Sequence, residues 1–161
     1  MPAIVNKLNV HIRWMIKRDL DSVLKIEASN SQLASPVGRW TEEDFLAILG
    51  KANNIGMVAE HCEQVLGFTV YSLHPEKLHI FNIAVDKSYE NMGVGTQIIK
   101  KLKSKLMPHR RKILEIDVRE SNLHAQLFLK RCGFLAVEVV RNWYEQPCQE
   151  DAYRFRYNME Q

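Results

Sequence analysis

Long hydrophobic runs are missing: no stretch approaches the roughly 20 consecutive apolar residues of a membrane span, so a soluble protein is expected. Cysteine is scarce. Cys62, Cys132 and Cys148 lie 70 and 16 residues apart, which suits neither an even disulfide framework nor paired zinc ligands. Reduced thiols in a cytoplasmic protein are expected instead. The six histidines, at 11, 61, 74, 79, 109 and 124, never fall at HExxH or Hx3H spacing, so no metal site is expected. Charge of one sign is also lacking. With Lys+Arg at 22 and Asp+Glu at 19 the net charge is +3, far from that of a dedicated nucleic-acid binder, and any basic site must be local. Glycine (7) and proline (5) never gather into a linker, and there is no repeat or low-complexity tract, so residues 1–161 are expected to form a single domain. The opening MPAIVNKLNVHIRWM has no sustained apolar core with a small-residue cleavage site, and no secretory leader is expected.

What is present is ordinary globular composition: 161 residues, 46% hydrophobic and 25% charged. A chain of this order buries roughly 70% of its unfolded surface, enough for a real core. RDLDSVLKIEA (18–28) places Leu20, Val23, Leu24 and Ile26 at near-helical spacing. After the break Ser35-Pro36-Val37-Gly38, Thr41 to Asp44 forms a capping box ahead of a second short helix ending near Gly50. Ile55–Glu60, Val65–Leu73 and Leu78–Val85 are rich in β-formers and divided by turn residues, which predicts an antiparallel meander. A helix over 96–107, stopped by Pro108, a strand over Ile113–Val118, a helix over Asn122–Arg131 and strands over Phe134–Arg141 and Tyr153–Met159 follow. This order predicts an α/β (α+β) fold: a mixed, mostly antiparallel central sheet flanked by helices on both faces.

Between the third strand and the next helix lies DKSYENMGVG, with Gly93 and Gly95 at a strand-to-helix turn. Glycines let backbone N–H groups converge on an anion, and a helix start adds its positive dipole end. By itself the GxG pattern is equally a tight turn with a glycine cap. It lacks the third glycine of a dinucleotide site and the Lys-Ser/Thr of a P-loop, so it favours neither NAD nor ATP. Lys100, Lys101, Lys103, Lys105, Arg110, Arg111 and Lys112 form a basic run free of acidic residues. It serves as a solvated helix face, as a field that attracts a phosphate-bearing cofactor, or as an RNA contact. No aromatics interleave with it as a stacking surface requires.

Taken together, FNIAVDKSYENMGVG (81–95), DVRESNLHAQLFLKRCGF (117–134) and RNWYEQPCQEDA (141–152) resemble the GNAT superfamily of acyl-CoA-dependent N-acetyltransferases. Within it the likeness is to the RimI-type ribosomal-protein N-terminal acetyltransferases, and it runs from about Ile12 to Met159. The family motif Gln/Arg-x-x-Gly-x-Gly/Ala falls on Glu90 to Gly95. The resemblance implies acetyl-CoA as cofactor, with the amides of Asn91, Met92, Gly93, Val94, Gly95 and Thr96 on its pyrophosphate. It implies Ile83, Ala84 and Val85 along the pantetheine arm, and Asn122 as a further cofactor contact. An extended, peptide-like pantetheine suits an open strand edge.

Three residues depart from the family pattern. Glu90 stands where Gln or Arg is usual. Leu129 stands where the RimI-type general-acid Tyr falls, and the base position carries Asp117 in place of Glu. The resemblance therefore implies Asp117 as base, acting through one water, unless it is held in a salt bridge to a neighbour such as Arg119 or is a solvated strand end. Tyr144, a water or Cys132 would stand in for the acid, with Tyr144 first; the alternative for Tyr144 is loop packing. An α-amine, with a pKa of about 7.7 to 8.0, is already substantially neutral near pH 7.5, which asks little of a base. The family's acceptor groove corresponds to Ser31–Trp40 and Asn142–Asp151, with Arg39, Trp40, Trp143 and Glu145 as candidate substrate contacts. Trp40 is equally a core residue.

The expected activity is acetyl transfer from acetyl-CoA to a primary amine, a protein N-terminus first, by direct attack in a ternary complex. A non-catalytic acyl-CoA-binding module and a small-amine acetyltransferase are the alternatives. The expected partners are acetyl-CoA and the amine acceptor, with no nucleic acid and no membrane, in a monomer or homodimer.

Overall fold

The computed structural model describes residues 7–30, 39–145 and 148–161. Seven strands form one sheet: β1 (His11–Trp14), β2 (Asn54–His61), β3 (Gln64–Leu73), β4 (Lys77–Val85), β5 (Ile113–Arg119), β6 (Leu135–Tyr144) and β7 (Glu150–Asn158). Their spatial order is β1-β2-β3-β4-β5-β7-β6, antiparallel except for β4 beside β5. Four helices accompany it: α1 (Leu20–Ser29), α2 (Glu42–Leu49), α3 (Val94–Lys103) and α4 (Leu123–Arg131).

Each face of the sheet has its own apolar cluster. Leu20, Val23 and Ile26 of α1 and Phe45 of α2 bury against Val58, Phe68, Val70 and Ala84, with Trp40 beside them. On the opposite face Ile98, Ile99 and Leu102 of α3 and Leu129 of α4 meet Leu78, Ile80, Leu114, Ile116, Val118 and Phe155. Ile98, Ile99 and Leu102 share one face at helical spacing, which leaves Lys100 and Lys101 on the other, as the periodicity predicts.

The meander and the capping box follow the sequence closely. Thr41 Oγ1 accepts from Asp44 N–H at 3.3 Å, and the Asp44 carboxylate accepts from Thr41 N–H at 2.7 Å. Strand β1, unheralded in the sequence, is short and forms because its backbone completes β2 (His11 opposite Glu60, Trp14 opposite Met57). Helix α3 starts two residues before the predicted 96 and ends at Lys103 rather than 107. The N–H groups of Lys105 and Leu106 turn to Leu102 and Lys103 in a tighter 3-10 pattern, while Ser104 Oγ donates to Lys101 C=O. The segment Ser35–Gly38, and the groove loop Ser31–Trp40 apart from Arg39 and Trp40, lie outside the described residues.

The feature that positions the site is in β4. Val70 faces Asn82 but Tyr71 faces Ile80, so Phe81 is an extra, bulged residue. Pairing between β4 and β5 runs only from Lys77–Ile113 to Ile80–Ile116. A bulge bends and twists its strand, and β4 leaves its parallel neighbour at this point. Beyond it, Asn82–Val85 keep β3 on one side and face an opening on the other. Across the opening, Asp117–Arg119 stay paired with β7.

Candidate active site

The opening between β4 and β5 is a cavity of about 700 Å³. Its walls include Ile83, Ala84 and Val85 from β4; Asn91, Gly93, Val94, Gly95 and Thr96 from the glycine turn and α3; Asp117 from β5; Asn122 and Leu129; and Tyr144 from β6. Of the expected cofactor contacts, only Met92 is not in the wall. Its carbonyl instead accepts from Leu8 N–H at 3.0 Å, tying the chain before β1 to the turn.

The turn is shaped by two left-handed residues, Asn91 at φ 61° and Gly93 at φ 82°. Gly93 caps α3, whose first backbone bond runs from Gln97 N–H to Gly93 C=O. The N–H groups of Val94, Gly95 and Thr96 therefore have no intrahelical acceptor, and they stand beside the cavity at the positive end of the helix. A Cβ on Gly95 would come within 3.1 Å of the Phe128 ring, so glycine there lets α3 and α4 close around the cavity. Gln97 holds the turn from behind: its Nε2 donates to the carbonyls of Leu8 and Gly93, and its Oε1 accepts from Val10 N–H. Glu90 lines the cavity but is exposed at its mouth, where Lys87, His124 and Arg131 supply positive or titratable groups.

The acid–base candidates are placed less simply. Asp117 lines the cavity, but both its oxygens accept from Arg154, from Nε at 2.9 Å and from an Nη at 3.2 Å. The salt bridge considered from the sequence is present, with Arg154 as partner. Arg119 pairs with Glu150 at 2.7 Å and lies over the Tyr144 ring at 4.0 Å. Tyr144 is fully buried, and its hydroxyl donates to the Asp117 carbonyl at 3.3 Å. Burial first, and then the nearby Asp117 charge, raise the Tyr144 pKa well above the usual phenol value, so it keeps its proton at neutral pH. Cys132 also lines the cavity, with its pKa pushed up by burial.

The expected acceptor contacts are scattered. Of the two readings of Trp40 the structure takes the core one, against a substrate contact: only 6% exposed, it packs edge-on against Phe45 at 5.0 Å, and Phe45 in turn packs on Phe68 at 5.5 Å. Its backbone still matters, since Trp40 N–H donates to Glu27. Arg39, Trp143 and Glu145 are exposed and lie outside the cavity wall.

Two residues missed by sequence reasoning sit in the wall. Asn82, just past the bulge, donates from Nδ2 to Glu27 Oε2 at 3.0 Å. Glu27 is 3% exposed. The only sequence signal is a charged residue one step from the apolar stripe of α1, which by itself reads as a stripe edge.

A family model described as the acetyltransferase (GNAT) family matches residues 20–134. The chain belongs to this family. A "[Ribosomal protein bS18]-alanine N-acetyltransferase" of Haemophilus influenzae is 31% identical over 84 residues, covering 52% of this chain and 57% of that relative. The crystal structure of the ribosomal-protein-S18-alanine N-acetyltransferase from Escherichia coli superposes with a TM-score of 0.79 at 22% identity, over 94% of each chain. That of Arabidopsis thaliana NAA60 in complex with acetyl-CoA gives 0.78 at 16% identity, over 95% of this chain and all (100%) of that one. These likenesses establish the GNAT fold, a mixed seven-stranded sheet with four helices, and an acetyltransferase as its enzyme class. No helix among the described residues is long and apolar enough to cross a membrane.

Proposed function

We propose that this GNAT protein transfers the acetyl group of acetyl-CoA to the N-terminal α-amine of a protein, by direct attack within a ternary complex. The observation that carries the reading is the parting of β4 and β5 above the glycine turn. An extended chain with an anionic end has an open strand edge for its amides and a ring of N–H groups for its pyrophosphate. The residues fit the cofactor: Gly93 to Thr96 bring N–H groups without intrahelical acceptors to the cavity, and the same cavity is lined by Asp117 and Tyr144. Acetyl-CoA would supply the activated thioester, and this chain's residues would hold and orient it.

A protein terminus as acceptor is supported by the Haemophilus relative, whose name gives a ribosomal-protein alanine as its target. Tyr144, protonated and in the cavity wall, is the donor nearest in kind to the tyrosine that Leu129 replaces. A thiolate, from a thiol with a pKa of about 8.5, is a tolerable leaving group, so this donor assists a departure that is already feasible. The test is thiol release from acetyl-CoA with peptides of varied first residue, small amines and N-acetylated control peptides. The reading expects release that depends on a free peptide α-amine. Acetyl-CoA binding without amine-dependent release would leave a cofactor-binding module, and release with small amines alone would move the acceptor to that class.

A further inference from the structure

Three carboxylates are buried in the described structure: Asp19, Glu27 and Glu115. Asp19 is paired with Arg13 at 2.7 Å, and Glu115 with Lys77 and Arg156 at 3.0 and 2.8 Å. Asp117, in the cavity wall, has Arg154. Glu27 breaks the pattern: no basic side chain among the described residues pairs with it. Its two oxygens accept one neutral bond each, from Trp40 N–H at 3.2 Å and from Asn82 Nδ2 at 3.0 Å. A carboxylate offers about four acceptor directions, so about half of them receive no bond from the described residues. It lines the cavity beside Asn82, at the point where β4 turns away from β5. Burying a carboxylate without a counter-charge is costly, and a cation brought beside it offsets that cost.

We infer that the acceptor supplies it: Glu27 binds the ammonium of the incoming amine and takes its proton. The inference rests on the transferase reading above. The ammonium nitrogen gives one proton to Glu27, and its freed lone pair adds to the thioester carbon. The C–S bond then breaks with its electron pair on sulfur. The second nitrogen proton ends on that sulfur as the amide forms, and Glu27 returns its proton to water. The oxygens of Asp117, also in the cavity wall, are both engaged with Arg154.

The test is Glu27→Gln, which keeps the shape and lets Asn82 turn its amide to restore the bond. Two nucleophiles are compared at saturating acetyl-CoA and pH 7: a peptide with a free α-amine, and hydroxylamine, which is mostly uncharged at that pH and needs neither ammonium capture nor deprotonation before it attacks. Loss of acid–base help predicts a fall of ~10² or more in peptide kcat/KM, with hydroxylamine transfer and acetyl-CoA affinity little changed. An equal fall for both nucleophiles would show a purely structural carboxylate, and an unchanged peptide rate would show an idle one. Either result overturns the inference while leaving the transferase intact. A wild-type protein that acetylates neither nucleophile overturns the transferase reading, and this inference with it.

Discussion

Gly93 stands at φ 82°, where a β-branched residue is strained, and an added Cβ would come within 3.2 Å of Lys7 Cγ. Gly93→Val is expected to abolish acetyl-CoA binding in calorimetry, because the turn must move its amides away from the phosphates to relieve both. Asp117 stands at the other end of the cavity. Asp117→Asn keeps one acceptor for Arg154 and removes the charge, so turnover is expected to fall while the shape of the pH–rate profile stays that of wild type. A profile that loses its acidic limb would make Asp117 the base after all. Leu129 is buried where the family's tyrosine falls, and no phenol reaches the cavity from that helix. The Gly93 turn and Asp117 could be found from the sequence because each belongs to a contiguous motif. Glu27 could not, since its partners come from residues 13 and 55 positions away.

Helix α4 shows how one side chain serves both an element and the site. Asn122 Oδ1 accepts from Ala125 N–H at 3.1 Å, capping the helix, and the same residue lines the cavity. Asn122→Asp preserves the cap and removes the Nδ2 donor, so it should leave the melting temperature near wild type and raise KM for acetyl-CoA. Asn122→Ala should do both kinds of damage, with about 1 kcal/mol lost in denaturant unfolding from the cap alone. Strand β4 carries the other decisive feature. FNIAV reads as a regular strand, and nothing in its alternation announces that Phe81 is extra. The bulge appears only when β3 fixes the register on one side and β5 stops pairing on the other.

Across the whole molecule, β4, β5, β6 and β7 are stitched by a charge network on one sheet face. Glu115 sits at its centre, held by Lys77, Arg156 and Arg154, with Arg154 reaching on to Asp117 and Glu138. Burial pushes the Glu115 pKa up, but hydrogen bonds from Arg156 and Lys77 outweigh this and hold it at about 2, below the ordinary 4.5. A carboxyl depressed in the folded state stabilises the fold above its unfolded value, and that contribution is lost as pH falls through the folded one. Stability to urea should therefore decline between pH 4.5 and 2, and Glu115→Gln should flatten that decline while lowering stability at pH 7. The basic run is likewise drawn into the fold. Lys103 packs over the Tyr157 ring, Arg111 donates to His74 C=O and Lys112 pairs with Glu160, which leaves Lys100 and Lys101 on the open helix face.

Apart from β1, the order of elements, and with it the two apolar faces, the capping box of α2 and the glycine turn, were settled by local pattern, because periodicity, caps and turn residues act over a few neighbours. The tertiary structure alone decided that β4 and β5 part, that Trp40 belongs to the core, that Arg154 takes Asp117, and that Glu27 stands in the cavity wall with no basic partner among the described residues. Each of these depends on which distant strands and helices share a surface. Burial turns that sharing into a choice of partner for every charge.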